Sequence, residues 1–343
     1  MTAAPLVLPA PRSQPLRGGP VLRWGVVAPG GIAADFVHAL HTHTDQRVVS
    51  VASRSADRAA QFAQQHGIPR SHGGYAELYA DPDVQIVYVA SPHSEHLRLA
   101  TDAIAAGKHV LIEKPIGLSA AQARAIRDAA AAAGVFAMEA MWTRFVPQTD
   151  VLLQLRDAGE LGEVRLVTAD LGFAAQPSDG RLFDPQLGGG ALLDLGVYPV
   201  WLSHLLLGMP ETVRVTGTLT ESGVDEQSAL VLDHASGAQA LLSTSIRVTS
   251  PGRAAVSGTR ARVEIDPFFV FPSGFSVTRG EDVVRFDDRS GLTYRQGMAW
   301  QAAAVARHVD DGLLESPLPP LQTTIDVMTI IDEARRRLAA SDA

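Results

Sequence analysis

Short apolar runs alternate with segments typical of helices from residue 22 to about residue 145. This order predicts a doubly wound α/β domain, in which helices cover both faces of a parallel sheet. Ligands of such sheets bind at the carboxyl ends of the strands. The predicted strands are residues 22–27, 47–52, 86–89, 109–112 and 135–139, and the predicted helices are residues 32–41, 56–66, 94–106 and 120–133.

The pattern changes after a predicted helix at residues 146–158. Apolar runs now follow one another across short turns, which predicts an α+β domain with a large, predominantly antiparallel sheet. A last helix is predicted at residues 323–340. The strands predicted in this half are residues 212–219, 228–233, 238–246, 261–265, 276–279 and 283–286.

These patterns and the proline content give the expected domain organisation. Five prolines within residues 1–20 predict a disordered extension. We expect a Rossmann domain at residues 21–145, an α+β domain at residues 146–322 and a C-terminal helix at residues 323–343.

Charge and composition exclude several classes of protein. The net charge of −8 over 343 residues argues against nucleic acid or an anionic membrane surface as the main partner. The absence of cysteine excludes disulfides, thiolate metal sites and a cysteine nucleophile. No apolar run approaches the length of a membrane span and no export signal is recognisable, so we expect a cytoplasmic location.

A glycine-rich turn lies between the first predicted strand and the first predicted helix. Gly30 and Gly31 directly precede Ile32, an arrangement in which the N–H groups of a helix N-terminus bind a dinucleotide pyrophosphate. Compared with the usual three-glycine pattern, Ala28 replaces the first glycine and Ala33 the third. Ala33 is an accepted variant, whereas Ala28 fits only if its position needs no positive φ.

The end of the second predicted strand bears on the choice between NAD and NADP. NAD-binding domains usually have Asp or Glu there, but Ser53 and Arg54 stand in this sequence. A hydroxyl and a guanidinium suit a 2′-phosphate, which a carboxylate would repel, so NADP is predicted and NAD is less favoured. The alternative is that Ser53 and Ser55 cap the next helix and Arg54 is solvated.

A charged pair and a proline end the fourth predicted strand. Pro115 excludes the α conformation from Lys114, so the strand stops there and presents the lysine side chain. Such a lysine can hold a proton or orient a neighbouring hydroxyl. The alternative is a surface ion pair between Glu113 and Lys114.

Three glycines at positions 188–190 precede Asp194 and Tyr198. If the segment is helical, these two side chains lie on one face. A phenol is a weak base at neutral pH unless a nearby cation stabilises its phenolate, and Lys114 is the candidate cation. The alternative is an interior helix with one hydrogen-bonded tyrosine.

Pro92, His93 and His96 follow the third predicted strand and open a helix. The two histidines lack a third ligand at a suitable spacing, so no metal site is predicted. We expect them to line the cofactor site or to cap the helix.

Together these motifs resemble the glucose-fructose oxidoreductase, inositol dehydrogenase and MocA superfamily over nearly the whole chain beyond residue 20. The resemblance rests on Glu113-Lys114-Pro115 and on the triple glycine followed by Asp194 and the residue four positions later. That residue is histidine in most of the family and Tyr198 here. Tyrosine is found in the branch that contains dimeric dihydrodiol dehydrogenases and NADP-dependent D-xylose dehydrogenases, which residues 138–145 and 161–164 also resemble.

The resemblance implies that Lys114 and Tyr198 are the catalytic pair, that Asp194 assists them, and that Trp142 and Phe173 face the substrate. It also implies a cis bond before Pro115. The open face of the second sheet would form a homodimer or a dimer of dimers. The cofactor-binding residues expected are Gly30, Gly31, Ile32, Ser53, Arg54, Pro92, His93, His96, Glu113 and Lys114.

The sequence therefore predicts an NADP-dependent oxidoreductase. It would transfer a hydride between nicotinamide and a secondary or hemiacetal hydroxyl of a sugar, such as D-xylose or D-glucose, or of a trans-dihydrodiol. One alternative is a non-catalytic NADP(H)-sensing regulator of the same fold, which has no need of both Lys114 and Tyr198. The other is an NAD-dependent glycosidase-like enzyme, against which Ser53 and Arg54 count because they favour NADP.

Overall fold

A computed structural model describes residues 6–176 and 180–341 of the chain. These residues form two units. The first, which we call the α/β unit, comprises Gln14–Phe145 and Tyr294–Ile325. The second, the α+β unit, comprises the described residues of Met1–Ser13, Val146–Thr293 and Asp326–Ala343.

The α/β unit contains a sheet of six strands that all pair in parallel, which confirms the predicted fold class. The strands are β1 (Arg23–Val27), β2 (Arg47–Ala52), β3 (Arg70–His72), β4 (Ile86–Val89), β5 (His109–Ile112) and β6 (Ala137–Glu139). Their order is β3-β2-β1-β4-β5-β6, so the direction of winding reverses between β1 and β4. In sheets of this kind the reversal marks the place where a ligand binds.

The α/β unit contains six α-helices among its described residues, and two of them begin and end at residues suited to caps. The six helices are α1 (Gly31–His43), α2 (Ala56–His66), α3 (Tyr75–Ala80), α4 (His96–Ala105), α5 (Ala120–Ala133) and, after a long interval of sequence, α8 (Met298–Asp310). Ser55 and Ser119 accept hydrogen bonds from the first turns of α2 and α5. Gly67 and Gly134 end the same two helices in the left-handed conformation, which glycine adopts without strain.

The α+β unit contains an eight-stranded sheet in the order β14-β13-β12-β11-β7-β10-β9-β8. Its strands are β7 (Val164–Gly172), β8 (Thr212–Leu219), β9 (Asp225–Asp233), β10 (Gln239–Ser245), β11 (Ala254–Gly258), β12 (Arg262–Ile265), β13 (Phe275–Arg279) and β14 (Asp282–Phe286). Its helices are α6 (Pro147–Asp157), α7 (Val197–Leu207) and most of α9 (Leu321–Ser341). Among the described strands of this sheet only β7 and β10 pair in parallel, so the sheet is predominantly antiparallel, as predicted.

One face of this sheet packs against α7, and the other is left uncovered by the described residues of the unit. Along β10, Ala240 and Leu242 are buried, whereas Leu241 between them is 44% exposed. An apolar side chain exposed in a central strand indicates that the open face is not fully polar.

Part of the predicted extension has defined contacts. Residues 6–20 form neither helix nor strand, but the main-chain N–H and the guanidinium of Arg12 donate to Asp150 at 2.7 and 2.8 Å. Arg17 separately donates to Asp45 at 3.1 Å. The described part of the predicted extension therefore makes hydrogen bonds with both units, while residues 1–5 lie outside the described part of the chain.

Residues 146–322 were expected to form the α+β unit; in the structure Val146–Thr293 belong to that unit, whereas Tyr294–Ile325 belong to the α/β unit. The sequence analysis missed α8, a helix with a mostly buried first half that contacts α1 of the α/β unit.

A further difference concerns hydropathy. Within the described residues, Pro185–Leu207 is long and apolar enough to cross a membrane, although no such run was expected. Of its most apolar window, 83% is buried inside the chain, which is typical of a core helix.

Candidate active site

Turns at the carboxyl ends of parallel strands bring the predicted cofactor residues to one edge of the α/β sheet. Gly30 and Gly31 follow β1, and Ser53 and Arg54 follow β2. Pro92, His93 and His96 come after β4, and Glu113 and Lys114 come after β5. This is the edge at which doubly wound sheets bind nucleotides.

The glycine turn leaves room for a ligand at the N-terminus of α1. Gly30 is the N-cap residue and makes no side-chain cap hydrogen bond. A Cβ added at Gly30 or Gly31 would meet no atom within 4 Å. There is therefore open space beside Gly30 and Gly31 at the N-terminus of α1, which a pyrophosphate would fill, and the residues present fit a dinucleotide.

Ala28 differs from the expectation. Its φ is +61°, so the position does require the left-handed conformation that a glycine would supply. The Ala28 N–H donates to the carbonyl of Ala52 at 3.1 Å, and this contact holds the turn against the end of β2. The alanine adopts the glycine conformation at a cost of roughly 1–2 kcal/mol.

The three residues that follow β2, Ser53, Arg54 and Ser55, differ in exposure and in hydrogen bonding. The Ser55 hydroxyl caps α2 by accepting from Arg58 N–H, and the buried Ser53 hydroxyl accepts from Ser55 N–H at 3.3 Å. Capping, the alternative weighed for the serines, therefore describes Ser55. Arg54 is exposed at the same edge of the sheet.

Glu113 anchors the turn that presents Lys114. Its carboxylate accepts from the Tyr88 hydroxyl and from the Lys114 main-chain N–H. Burial raises the pKa of Glu113 above its usual range, against the lowering effect of the Tyr88 hydrogen bond and the Lys114 charge. The Lys114–Pro115 bond is cis, as expected, and the Lys114 side chain is half-buried.

His96 lies beneath this turn. Its ring is fully buried, with Nδ1 2.8 Å from the Pro115 carbonyl oxygen and Nε2 2.9 Å from the Ser91 carbonyl oxygen. The ring thus links the turns after β4 and β5. His93 is also buried, with its ring 5.7 Å from that of His96.

Glu139 is a buried carboxyl group that the sequence analysis did not single out. It ends β6, and Oε1 accepts from the Ile116 N–H while Oε2 accepts from the Thr324 hydroxyl, both at 2.9 Å. Burial raises its pKa to about 7. Glu139 therefore holds the residue two positions after Lys114.

Asp194 and Tyr198 lie on one helical segment of the α+β unit, as predicted. The segment starts with a π-helical turn, Leu192–Gly196, which continues directly into α7. Both side chains are buried, and Asp194 Oδ1 lies 3.3 Å from two guanidinium nitrogens of Arg181. Arg181 is a site residue that the sequence analysis missed.

The two expected substrate residues lie in different units. Trp142 is buried in a short 3₁₀ helix, Trp142–Phe145, of the α/β unit. Phe173 is half-buried directly after β7 in the α+β unit, where its N–H donates to the Ser245 carbonyl at 3.1 Å. Residues 177–179 of the loop that follows lie outside the described residues.

Within the ranges 6–176 and 180–341, no three histidine, aspartate or glutamate side chains gather in a way that would hold a metal ion.

Comparison with known proteins agrees with this arrangement. Residues 22–141 match the family model described as "Oxidoreductase family, NAD-binding Rossmann fold", and residues 151–264 match "GFO/IDH/MocA C-terminal domain". Trans-1,2-dihydrobenzene-1,2-diol dehydrogenase of Xenopus laevis is 36% identical over 92% of this chain and 98% of its own.

Two solved structures extend the comparison. KijD10, a 3-ketoreductase from Actinomadura kijaniata solved with NADP and TDP-benzene, is 27% identical with a TM-score of 0.80, over 92% of this chain and 97% of its own. Aldose-aldose oxidoreductase from Caulobacter crescentus is 25% identical with a TM-score of 0.83, over 94% and 98%. The chain therefore belongs to the GFO/IDH/MocA family of oxidoreductases.

Proposed function

We propose that the chain is an NADP-dependent oxidoreductase in which Tyr198 is the acid–base group and Lys114 its cationic partner. The substrate would be a secondary or hemiacetal hydroxyl of a sugar or a trans-dihydrodiol. The main support for the proposal is that Asp194 and Tyr198 are both buried and lie on one helical segment. Relatives in the same family are named as dehydrogenases of a trans-dihydrodiol and oxidoreductases of aldoses.

Solved variants of KijD10 support the choice of residues. One replaces a tyrosine by phenylalanine and another replaces a lysine by alanine. The two replaced residues are separated along their chain by the same number of positions as Lys114 and Tyr198 are here. Lys108 and Lys114 are also the only lysines in this arginine-rich sequence, and Lys108 donates to two main-chain carbonyls.

In the proposed mechanism Tyr198, Lys114 and Asp194 have different roles in the transfer of the substrate proton. Tyr198 Oη, as a phenolate, accepts the proton of the substrate hydroxyl, and Lys114 Nζ, as an ammonium, stabilises that phenolate. Asp194, which accepts hydrogen bonds from Arg181, assists by accepting a hydrogen bond from the substrate. NADP, when bound, supplies the hydride acceptor.

NADP rather than NAD is proposed from the residues after β2. The exposed Arg54 would pair with the 2′-phosphate, and no carboxylate stands in that turn to accept from a free ribose hydroxyl. The open space at Gly30 and Gly31 fits the pyrophosphate. KijD10, a relative that spans the same two domains, was solved with NADP.

A homodimer is proposed through the open face of the α+β sheet, on which Leu241 is exposed. Covering this face would remove apolar surface from water. A cytoplasmic location is proposed from the absence of cysteine, which is compatible with a reducing compartment.

The test follows NADPH absorbance while NADP is offered with trans-dihydrodiols, pentoses and hexoses. Tyr198→Phe and Lys114→Met should each lower turnover by at least 10²-fold, because acid–base catalysis contributes roughly 10²- to 10⁴-fold, while NADPH still binds. Tyr75→Phe removes a phenol from α3 and should leave turnover unchanged.

Retained turnover in Tyr198→Phe or Lys114→Met would contradict the proposal. Cofactor binding without turnover on any substrate, in either direction, would favour the sensor. Cofactor that stays bound through purification and supports glycoside cleavage would favour the glycosidase-like alternative.

A further inference from the structure

A buried carboxylate on β9 lies against the start of the segment that carries Asp194 and Tyr198. Asp225 is 6% exposed, and its Oδ2 accepts from the Leu192 N–H at 2.7 Å. The main-chain N–H groups of Ala191 and of Asp225 itself also donate to this carboxyl group. The π-helical turn has no side-chain cap of its own, so a residue 33 positions later in the sequence supplies the cap.

The triple glycine makes this approach possible. Gly190 has φ +110°, and a Cβ added there would lie 2.3 Å from Asp225 Oδ1. A Cβ at Gly189 would lie 2.5 Å from the Leu182 carbonyl oxygen. Both distances are shorter than van der Waals contact, so side chains at these positions would push the carboxylate and the turn apart.

A second contact fixes the same segment from β10. The Thr244 hydroxyl donates to the Ala191 carbonyl at 3.3 Å, and its methyl group would contact a Cβ at Gly196 at 3.3 Å. The first turn is therefore held by side chains of two adjacent strands, and Asp225 supplies its charged contact.

We infer that Asp225 is a positioning residue, whose carboxylate sets the register of the segment that presents Asp194 and Tyr198 to the substrate. The inference rests on the proposed function, because the register matters for turnover only if Tyr198 is the acid–base group. Asp225 itself would touch neither substrate nor cofactor.

The inference predicts that the positioning of the segment depends on the charge of the Asp225 carboxyl group. Burial raises its pKa to about 7, while the hydrogen bond from Leu192 and the charge of Arg335 on α9 act in the opposite direction. A carboxylate offers acceptors to several N–H groups at once, whereas a protonated acid or an amide turns one acceptor into a donor that faces them. Positioning should therefore weaken at low pH and in Asp225→Asn.

The experiment compares Asp225→Asn with Asp170→Asn in the full chain. Asp170, on β7, is a matched control because its carboxylate accepts from two main-chain N–H groups, those of Gly252 and Arg253, at 2.8 and 3.1 Å. We expect Asp225→Asn to lower kcat roughly 10- to 100-fold, in line with the cost of a misplacement of about 1 Å. The Kd for NADPH should stay within about 2-fold of wild type, and Asp170→Asn should match wild type in both.

The dependence of kcat on pH provides the second readout. The wild type should lose kcat as the pH falls through about 7, and this limb should be absent in Asp225→Asn, which has no such proton to gain. If the asparagine variant does not fold, Asp225→Ser, whose smaller hydroxyl accepts one N–H, should fold with an intermediate kcat.

The outcomes separate this inference from the proposed function. Active Tyr198→Phe would overturn the proposed function and the inference with it. Inactive Tyr198→Phe together with unchanged kcat in Asp225→Asn, or an equal loss in Asp170→Asn, would overturn the inference alone. Failure of both Asp225 variants to fold would also overturn it, by showing that the carboxylate is needed for the fold as a whole.

Discussion

Glu139 makes the stability of the protein depend on pH in a direction opposite to that of most carboxylates. Its side chain is 3% exposed, and burial raises its pKa from 4.5 to about 7 despite the hydrogen bonds from Thr324 and Ile116. The charge of Glu113 acts in the same direction as burial. The folded chain therefore binds this proton more tightly than the unfolded chain.

Glu139→Gln tests this property with little change of shape. The amide oxygen can accept from the Ile116 N–H, and the amide nitrogen can donate to the Thr324 hydroxyl, as a protonated glutamate would. The variant thus resembles the neutral form of Glu139 at every pH.

The magnitude follows from proton linkage. Because the folded pKa is raised, the stabilisation by the bound proton is complete below pH 4.5 and is lost as the pH rises through about 7. At about 1.4 kcal/mol for each unit of pKa, the wild type loses about 3 kcal/mol across this range from Glu139. We expect Glu139→Gln to match wild type near pH 5 and to exceed its free energy of unfolding by about 3 kcal/mol near pH 8.

Urea unfolding of both proteins at pH 5, 6, 7 and 8 measures the difference. The exposed Glu221 lies in the turn between β8 and β9, and Glu221→Gln should show no pH-dependent difference from wild type. A Glu139→Gln difference that is constant across pH, or a variant less stable than wild type at pH 8, would refute the reasoning.

Two further predictions concern the cofactor edge of the α/β sheet. Ala28→Gly should raise the free energy of unfolding by about 0.5–1 kcal/mol, because relief of left-handed strain exceeds the entropy that glycine loses on folding. Its control is Ala33→Gly, inside α1, which should lower the free energy of unfolding by about 1 kcal/mol. Urea titration measures both variants. Arg54→Ala should weaken NADPH binding roughly 10- to 100-fold by removing a charge-assisted hydrogen bond, with NADH affinity unchanged. Fluorescence titration measures both affinities, and Arg58→Ala, in the first turn of α2, serves as the control variant. If Arg54→Ala weakened the binding of NADPH and NADH equally, Arg54 would not bind the 2′-phosphate.

Much of the α/β unit could be predicted from the sequence because its signals are local. The bounds of β2, β4, β5, α2 and α5 coincide with the predicted ranges. The strands are continuous apolar runs, and a serine before each of these helices and a glycine after it mark the ends. The resemblance to the family rested on equally local motifs.

The missed elements have no comparable local signal. β7 lies at the centre of its sheet, but Thr168 and Asp170 interrupt its apolar run because one face of that sheet is open. Asp225 could not be identified from spacing, since its role depends on a main-chain N–H far away in the sequence. The triple glycine was the available sign, because three consecutive glycines indicate a close approach of some other group.

The division of the chain into units has a consequence for its synthesis. The α/β unit is completed by Tyr294–Ile325, which are translated only after nearly all of the α+β unit. Until then α1 lacks α8, and β6 lacks the bridge between Ala137 and Glu315. The α/β unit therefore cannot be completed until the intervening segment Val146–Thr293 has been translated, and a fragment cut after Phe145 would expose the apolar surface that α8 covers.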